Sequence, residues 1–197
     1  TSPDATSGTA RIVEALPCLP DADIVINLQG DEPELVPSAI EAALASLEEY
    51  PEAHVATLVT PILEKDALDD PSIVKAELTP WASESSRQES GSYPQAWRAI
   101  TFSRAAVPAA REWHDSLLTK IPPLFWQHVG VYAYRRSVLD NWNCLPESTL
   151  AELESLEQLR LIEAGISIIA VAIDQAASGI DTAADYSAFV ERFCNRS

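Results

Sequence analysis

The sequence predicts an α/β fold with a mixed, mostly parallel central sheet, and three observations support that prediction. Apolar, β-branched runs at 23–30 and 166–173 are typical of central strands that are covered on both faces. Another strand is predicted at 54–61, and an alanine-rich helix over 38–49 separates it from the first. Strands that alternate with helices in this way favour a mostly parallel sheet with helices packed against it.

The rest of the chain predicts further strands, a surface loop and a final helix. Residues 99–108 predict a strand that runs into a turn, and residues 128–135 alternate as a strand does. Residues 79–97 are rich in serine and glutamate and predict a surface loop, whereas a helix is predicted over 182–193. Because no repeat or long linker interrupts the 197 residues, a single domain over 1–197 is expected.

The strongest helix signal covers residues 149–164. Thr149 and Glu152 fit a capping box at the start of this helix. Gly165 fits the C′ position directly after its end. The spacing of its leucines predicts one continuous helix with a single apolar face.

Glu157 falls on the apolar face of that predicted helix, where an acid is costly unless it is paired or used. Arg160 lies one turn further on, so a structural ion pair is one interpretation. The other interpretation is a functional carboxylate, with the neutral amide of Gln158 beside it. The sequence leaves both interpretations open.

Composition and charge limit the classes of partner. The net charge of −17 argues against a nucleic-acid binder, which needs a basic surface. No apolar run is long enough to span a bilayer and no signal peptide is recognisable, so a cytoplasmic protein is expected. The three cysteines are far apart, which predicts reduced thiols rather than a disulfide framework or a zinc site.

Two acids follow predicted strands and are candidate Mg²⁺ ligands. Asp31 comes directly after Gln29 and Gly30 at the end of the first strand, and Asp181 follows the strand over 166–173. Open α/β sheets bind ligands at the carboxyl ends of their strands, and Mg²⁺ binds one or two carboxylates together with phosphate oxygens. The alternatives are a solvated turn at Asp31 and a helix N-cap at Asp181.

Other polar residues are weaker candidates when each is considered alone. His128 precedes an alternating strand and suits a carboxylate or a hydroxyl, although a lone histidine is more often packed or on the surface. The charges of Arg104 and Lys75 suit an anionic ligand. Ser7-Gly8-Thr9 is a small polar turn whose backbone amides suit a nucleotide.

Taken together and in order, these segments resemble the 3-deoxy-manno-octulosonate (Kdo) cytidylyltransferase family. They extend over nearly the whole chain, and the segments around Asp31 and Glu157 are the most specific. The matching segments are residues 7–11, 25–33, 74–75, 102–104, 128–135, 156–160 and 179–182.

The resemblance implies a Rossmann-like nucleotidyltransferase fold, usually a homodimer, that transfers CMP from CTP to Kdo for lipopolysaccharide synthesis. It implies Mg²⁺ held by Asp31 and Asp181 as the catalytic metal ligands. The remaining implied residues contact the substrates: Ser7, Gly8, Thr9 and Gln29 for cytidine, and Arg104, His128, Tyr132, Glu157 and Gln158 for Kdo.

The chain also departs from the family pattern. The family begins with a strand and a basic, glycine-containing loop that wraps the triphosphate, and neither this loop nor any methionine occurs here. An N-terminally truncated fold that lacks the first βαβ unit is therefore expected. Two other hypotheses stay open: a nucleotidyltransferase for another sugar acid such as sialic acid, and a non-catalytic remnant that binds a partner.

Overall fold

The computed structural model describes residues 1–3, 5, 7–28, 36–81, 96–174 and 183–194. The predicted site residues Gln29, Asp31 and Asp181 lie outside these ranges. The described strands are β1 (Ile24–Asn27), β2 (Val55–Pro61), β3 (Lys75–Pro80), β4 (Ala96–Ser103), β5 (Trp126–Arg135) and β6 (Ile168–Ala172). The described α-helices are α1 (Gly8–Ala15), α2 (Pro37–Glu49), α3 (Lys65–Asp69), α4 (Arg136–Asp140), α5 (Thr149–Glu154), α6 (Gln158–Glu163) and α7 (Ala183–Cys194).

The described strands form one mixed sheet in the order β1-β5-β2-β6-β4-β3, and β5 also pairs with β3. Only β2 and β6 pair in parallel, so the prediction of a mostly parallel sheet is wrong for these strands. Strands β1, β2, β3 and β6 do run in one direction, as the alternation with helices predicts. The reversed strands β4 and β5 lie between them, and this converts most neighbouring pairs into antiparallel ones.

The two faces of the sheet carry separate cores. Strand β5 alternates, so Val131 and Ala133 face α2, where Ala43 and Leu47 are fully buried. The opposite face carries Trp126, Tyr132 and Tyr134 of β5, and the buried leucines of α6, with Leu156 just before it, belong to the same core. Substrate-site candidates of β5 lie on this second face.

Strand β5 has an irregularity at its centre. Thr57 of β2 pairs with Tyr132, whereas the next residue, Leu58, pairs with Val129. Two residues of β5 therefore have no counterpart on β2, and the ladder is interrupted as in a β-bulge. Bulges of this kind free backbone groups from the ladder, and here a side chain of β2 satisfies them, as described below.

The predicted helix over 149–164 is two short helices rather than one. Ser155 has a φ of 53°, in the left-handed region, and this conformation ends α5 before α6 begins at Gln158. The capping residue is Ser148, whose Oγ accepts from the Ala151 N–H at 2.9 Å, so the capping box at Thr149 is not formed. The break also leaves Leu153 exposed instead of on a shared apolar face.

The predicted end of this segment is confirmed. Gly165 has a φ of 74° and its N–H donates to the carbonyl of Ile162, while Ile166 N–H donates to Leu161. These two bonds form a Schellman motif, which satisfies carbonyls that the end of α6 would otherwise leave unpaired.

The other predicted elements agree with the structure to within a few residues, except around β3. The range 79–97 is not all loop, because residues 79–80 end β3 and residues 96–97 begin β4, while 82–95 lie outside the described residues. Residues 104–108 are not part of β4, which ends at Ser103. Helices α1, α3 and α4 and strand β3 were not predicted from the sequence.

Two further observations bear on the class of protein. In the described part of the chain, no helix is long and apolar enough to cross a membrane. All three cysteines are described, exposed and free of disulfide bonds. Free thiols agree with the prediction from their spacing.

Candidate active site

The first feature of the site is the contact between the start of α1 and Glu157. Ser7 is the N-cap of α1, and its Oγ accepts from the Ala10 N–H at 3.1 Å. The same hydroxyl donates to Glu157 Oε1 at 2.8 Å, and the Thr9 N–H approaches Oε2 at 3.5 Å. A carboxylate at a helix N-terminus is stabilised by the helix dipole as well as by these bonds. Two predicted binding segments about 150 positions apart are therefore in direct contact.

A row of rings on β5 forms the floor of the site. The imidazole of His128 lies 4.9 Å from the ring of Phe102 and 5.3 Å from that of Tyr132, measured between centroids. Tyr132 in turn stacks on Tyr134 at 5.6 Å. The hydroxyl of Tyr134 lies 3.3 Å from Oγ1 of the buried Thr9, which connects the row to α1.

Burial sets the protonation of these rings. Desolvation lowers the pKa of His128 to about 3, so its imidazole is neutral at physiological pH. Desolvation also raises the pKa of Tyr132, and the nearby Tyr134 and Glu157 raise it further. Burial likewise raises the pKa of Tyr134. Both phenols therefore keep their protons, and both are available as hydrogen-bond donors.

Arg104 is held at the end of β4 by Glu154. The Arg104 backbone N–H donates to Glu154 Oε2 at 2.6 Å, and its side-chain Nε donates to the Glu154 carbonyl at 2.8 Å. That carbonyl belongs to the last residue of α5, where the left-handed Ser155 ends the helix. Nη1 donates to the Pro71 carbonyl at 3.0 Å. The remaining guanidinium N–H groups make no hydrogen bond with the described residues, so Arg104 retains donors for an anion.

Lys75 has a different role from the one its charge suggests. Its side chain is fully buried, and Nζ donates to the carbonyls of Asp70, Ile73 and Arg104 at 2.7 to 2.8 Å. An ammonium has three N–H donors, and all three are committed to the backbone. Burial lowers the pKa of Lys75 despite the nearby acids. Lys75 therefore fixes the backbone of Arg104 and does not itself reach a ligand.

The ion-pair interpretation of Glu157 is not supported by the described contacts. The guanidinium of Arg160 donates to the carbonyls of Pro146 and Leu145, and it lies over the Trp142 ring. Glu157 contacts α1 instead. Gln158, next to it, is buried at the first position of α6. The ion pair with Arg160 is therefore not formed, and the functional role of Glu157 stays a prediction.

The described residues of the site do not form a preformed metal centre. Among the described residues, no group of three or more histidine, cysteine, aspartate or glutamate side chains is arranged to hold a metal ion. The expected ligands Asp31 and Asp181 both lie outside the described residues. The structure therefore does not test the metal prediction directly.

Three residues of the site were missed in the sequence analysis. Thr57 is a fully buried hydroxyl within an apolar strand, and a polar residue in such a position is a recognisable signal. Tyr134 shares the strand face of Tyr132 by alternation, which is also readable from the sequence. Glu154 gave no signal, because its role depends on the break at Ser155.

The fold and the site define an α/β nucleotidyltransferase. The structure of apo UDP-glucose pyrophosphorylase shares the fold alone, with a TM-score of 0.52 at 12% identity over 93% of this chain and 60% of that one. The chain belongs to the cytidylyltransferase family, whose model matches residues 1–168.

Similar proteins and a solved structure support the assignment to this family. The chain is 44% identical over 193 residues to a 3-deoxy-manno-octulosonate cytidylyltransferase of Rhodopirellula baltica, covering 98% of this chain and 71% of the relative. It is 41% identical to the enzyme of the same name from Nitrosococcus oceani, covering 94% of this chain and 68% of the relative. A solved CMP:2-keto-3-deoxy-manno-octonic acid synthetase complexed with CTP superimposes with a TM-score of 0.80 at 37% identity, covering 98% of this chain and 70% of that one.

Proposed function

We propose that this chain transfers CMP from CTP to Kdo, giving CMP-Kdo and pyrophosphate for lipopolysaccharide synthesis. The observation that carries the proposal is the hydrogen bond between Ser7 and Glu157 at 2.8 Å. It joins the segment expected to contact cytidine to the segment expected to contact the sugar acid. The relatives that match nearly the whole chain carry the name of this activity.

The sugar acid would bind over the row of rings. The free N–H groups of Arg104 suit its carboxylate, because a guanidinium binds a carboxylate through two parallel bonds. The carboxylate of Glu157 accepts hydroxyl protons, and the protonated phenol of Tyr132 donates. Gln158 adds an amide with both a donor and an acceptor. The site thus offers one cation for a carboxylate and several hydrogen-bond donors and acceptors for hydroxyls, which suits a ligand that carries one carboxylate and several hydroxyls.

The nucleotide would bind at the start of α1. Among the described residues, a Cβ added at Gly8 would meet only the Asn27 amide, at an ordinary 3.8 Å, so their packing does not require glycine at this position. The Thr9 and Ala10 N–H groups are bonded to Glu157 and Ser7, so a ligand would approach the bare backbone at Gly8 itself. Gln29, the other expected cytidine contact, lies outside the described residues.

We propose Mg²⁺ as the cofactor, with Asp31 and Asp181 as its ligands. Strands β1 and β6 run in the same direction, so their carboxyl ends face the same edge of the sheet, although β5 and β2 lie between them. In that order the two strands are not neighbours, and they are separated by about 14 Å. Asp31 lies four positions beyond Asn27, a reach of about 14 Å, and Asp181 lies nine beyond Ala172, about 30 Å, so the chain lengths permit convergence.

When bound, Mg²⁺ neutralises phosphate charge and orients the α-phosphate for in-line attack. The protein's own residues then act by positioning. The anomeric hydroxyl of the sugar acid attacks the α-phosphorus, a new P–O bond forms, and the bond to pyrophosphate breaks. Because no protein nucleophile is needed, holding the two substrates in line provides most of the rate.

We further propose that the chain acts as a homodimer in the cytoplasm. Leu63, Ile121 and Leu124 are exposed apolar side chains, and such residues support an interface. The free cysteines fit a reducing compartment. Sedimentation equilibrium tests the dimer: a single monomer mass at micromolar protein would contradict it.

A product assay tests the proposed reaction and its substrate. The chain is incubated with CTP and Mg²⁺ and with Kdo, sialic acid or no sugar, and the products are identified by phosphorus NMR. We expect a CMP-sugar and pyrophosphate with Kdo, and unchanged CTP in the other two samples. A CMP-sugar that forms with sialic acid and not with Kdo would show that the family is right and the substrate wrong.

A further inference from the structure

Thr57 lies behind His128 and contacts it directly. Its side chain is fully buried in β2, and Oγ1 lies 2.9 Å from Nε2 of His128. The same oxygen lies 2.9 Å from the carbonyl of Val131 and 3.3 Å from that of Val129. Val131 is one of the two residues of β5 without a counterpart on β2, and Val129 directly precedes them.

The number of protons decides the direction of each bond. A threonine hydroxyl has one proton, and a carbonyl can only accept. If Thr57 donated to His128, its oxygen would face two carbonyl oxygens with no proton between them. The hydroxyl proton therefore belongs to the backbone carbonyls, and the remaining bond requires His128 Nε2–H to donate to Oγ1.

We infer that Thr57 is a positioning residue that holds His128 in the tautomer with its proton on Nε2, so that Nδ1 presents a lone pair to a sugar hydroxyl. The identity of the ligand rests on the proposed function, whereas the tautomer does not. Rings on two sides, Phe102 at 4.9 Å and Tyr132 at 5.3 Å, restrict the imidazole. Among the described residues, nothing hydrogen-bonds to Nδ1.

The fixed tautomer limits the ligand groups to which His128 can hydrogen-bond. The residue alone suits either a carboxylate or a hydroxyl. A neutral imidazole whose only N–H is committed to Thr57 has no donor for a carboxylate, and burial keeps it neutral. His128 therefore selects an O–H donor. The carboxylate of the sugar acid is left to Arg104.

The tautomer is measured directly by NMR. The chain has only three histidines, so long-range proton–nitrogen spectra of the ¹⁵N-labelled protein resolve each ring, and the signals missing in His128→Gln assign His128. We expect a protonated Nε2 and an unprotonated Nδ1 at neutral pH. A protonated Nδ1 in the unaltered protein would overturn the inference, whatever the variants do.

Matched variants test the part played by Thr57. Thr57→Val removes the hydroxyl and is expected to give a mixture of tautomers, whereas Thr57→Ser keeps the hydroxyl and the single tautomer. Thr60→Val is the control, because Thr60 lies on the same strand and, within the described part of the chain, its Oγ1 bonds only to the carbonyl of Asp174. An unchanged spectrum in Thr57→Val would show that Thr57 does not select the tautomer.

The KM values of the Thr57 variants test whether the tautomer of His128 affects binding of the sugar acid. Thr57→Val is expected to raise the KM for Kdo by roughly threefold to tenfold, since one hydrogen bond to the sugar is weakened, with little change for CTP. Thr57→Ser should restore the KM for Kdo. Equal changes for both substrates would indicate a merely structural role. If the chain does not turn over Kdo at all, the proposed function fails, and the NMR experiment still decides the role of Thr57.

Discussion

The bond between Ser7 and Glu157 makes a quantitative prediction about stability. Ser7→Ala removes two interactions at once: the cap on α1 and the bond to the carboxylate. Loss of a serine cap costs about 1 kcal/mol. A hydrogen bond to a charged group adds about 1.5–3 kcal/mol. We therefore expect Ser7→Ala to lower the free energy of unfolding by about 2.5–4 kcal/mol.

The chain provides a matched control for this prediction. Ser148 caps α5 in the same way, with its Oγ accepting from the Ala151 N–H at 2.9 Å, and it has no bond to a carboxylate in the described structure. Ser148→Ala should therefore cost about 1 kcal/mol. Urea unfolding followed by tryptophan fluorescence measures both variants, since the chain contains five tryptophans.

A double-mutant cycle then isolates the link between the two segments. Glu157→Ala alone, and together with Ser7→Ala, gives the coupling energy, which we expect to be about 1–2 kcal/mol. If Ser7→Ala costs no more than Ser148→Ala, or if the coupling is within about 0.3 kcal/mol of zero, then the contact does not hold the two segments together.

Three further predictions concern Lys75, Glu154 and His128. Lys75→Met should lower the unfolding free energy by about 3–5 kcal/mol, because three backbone carbonyls lose the buried ammonium that donates to them, whereas the exposed Lys65→Met should cost less than about 0.5 kcal/mol; similar costs in urea would refute this. Glu154→Gln should raise the KM for Kdo and not that for CTP, because it loosens Arg104; an equal rise would contradict the assignment. His128 has a folded pKa of about 3 and an unfolded value near 6.5, so its contribution to stability is present above pH 6.5 and is lost as the pH falls from there towards 3. Between pH 7.5 and 5 the unaltered protein should therefore lose about 2 kcal/mol more than His128→Gln, and equal losses would show that the imidazole protonates normally in the fold.

The sequence predicted those elements whose signals are local. The apolar runs that became β1, β2 and β6 and the alanine-rich helix α2 needed no knowledge of their neighbours. Gly165 predicted the end of α6, because a left-handed residue at that position favours glycine. The family was also readable, since its short segments occur in order along nearly the whole chain.

Features that depend on distant contacts were not predictable in the same way. The break at Ser155 contradicts the local periodicity, and in the structure it frees the carbonyl of Glu154 for Arg104. A serine in the left-handed region costs on the order of 1 kcal/mol or more, and such strain is maintained by surrounding contacts that no local pattern shows. The direction of β4 and β5 depends on how the sheet assembles, so alternation of strands and helices could not reveal it.

The site itself was predicted as a set of residues but not as an arrangement. Ser7 and His128 were weak candidates alone and Glu157 had two open interpretations, and the structure shows how all three are held. Ser7 contacts Glu157, whereas His128 is oriented by Thr57, a residue that sequence reasoning passed over. Lys75 was expected to suit an anion by its charge alone. Its three bonds to backbone carbonyls show that it supports the site from behind.

Pyrophosphate release from CTP is the measurement that tests the central claim most directly. The chain is assayed with saturating CTP, Mg²⁺ and Kdo, with Kdo omitted in one control and Glu157→Ala replacing the chain in another. The account predicts release that depends on Kdo and falls strongly in the variant, because Glu157 joins both substrate segments. No release with all components present, or release that is equal with and without Kdo, would contradict the proposed transfer of CMP to this sugar acid.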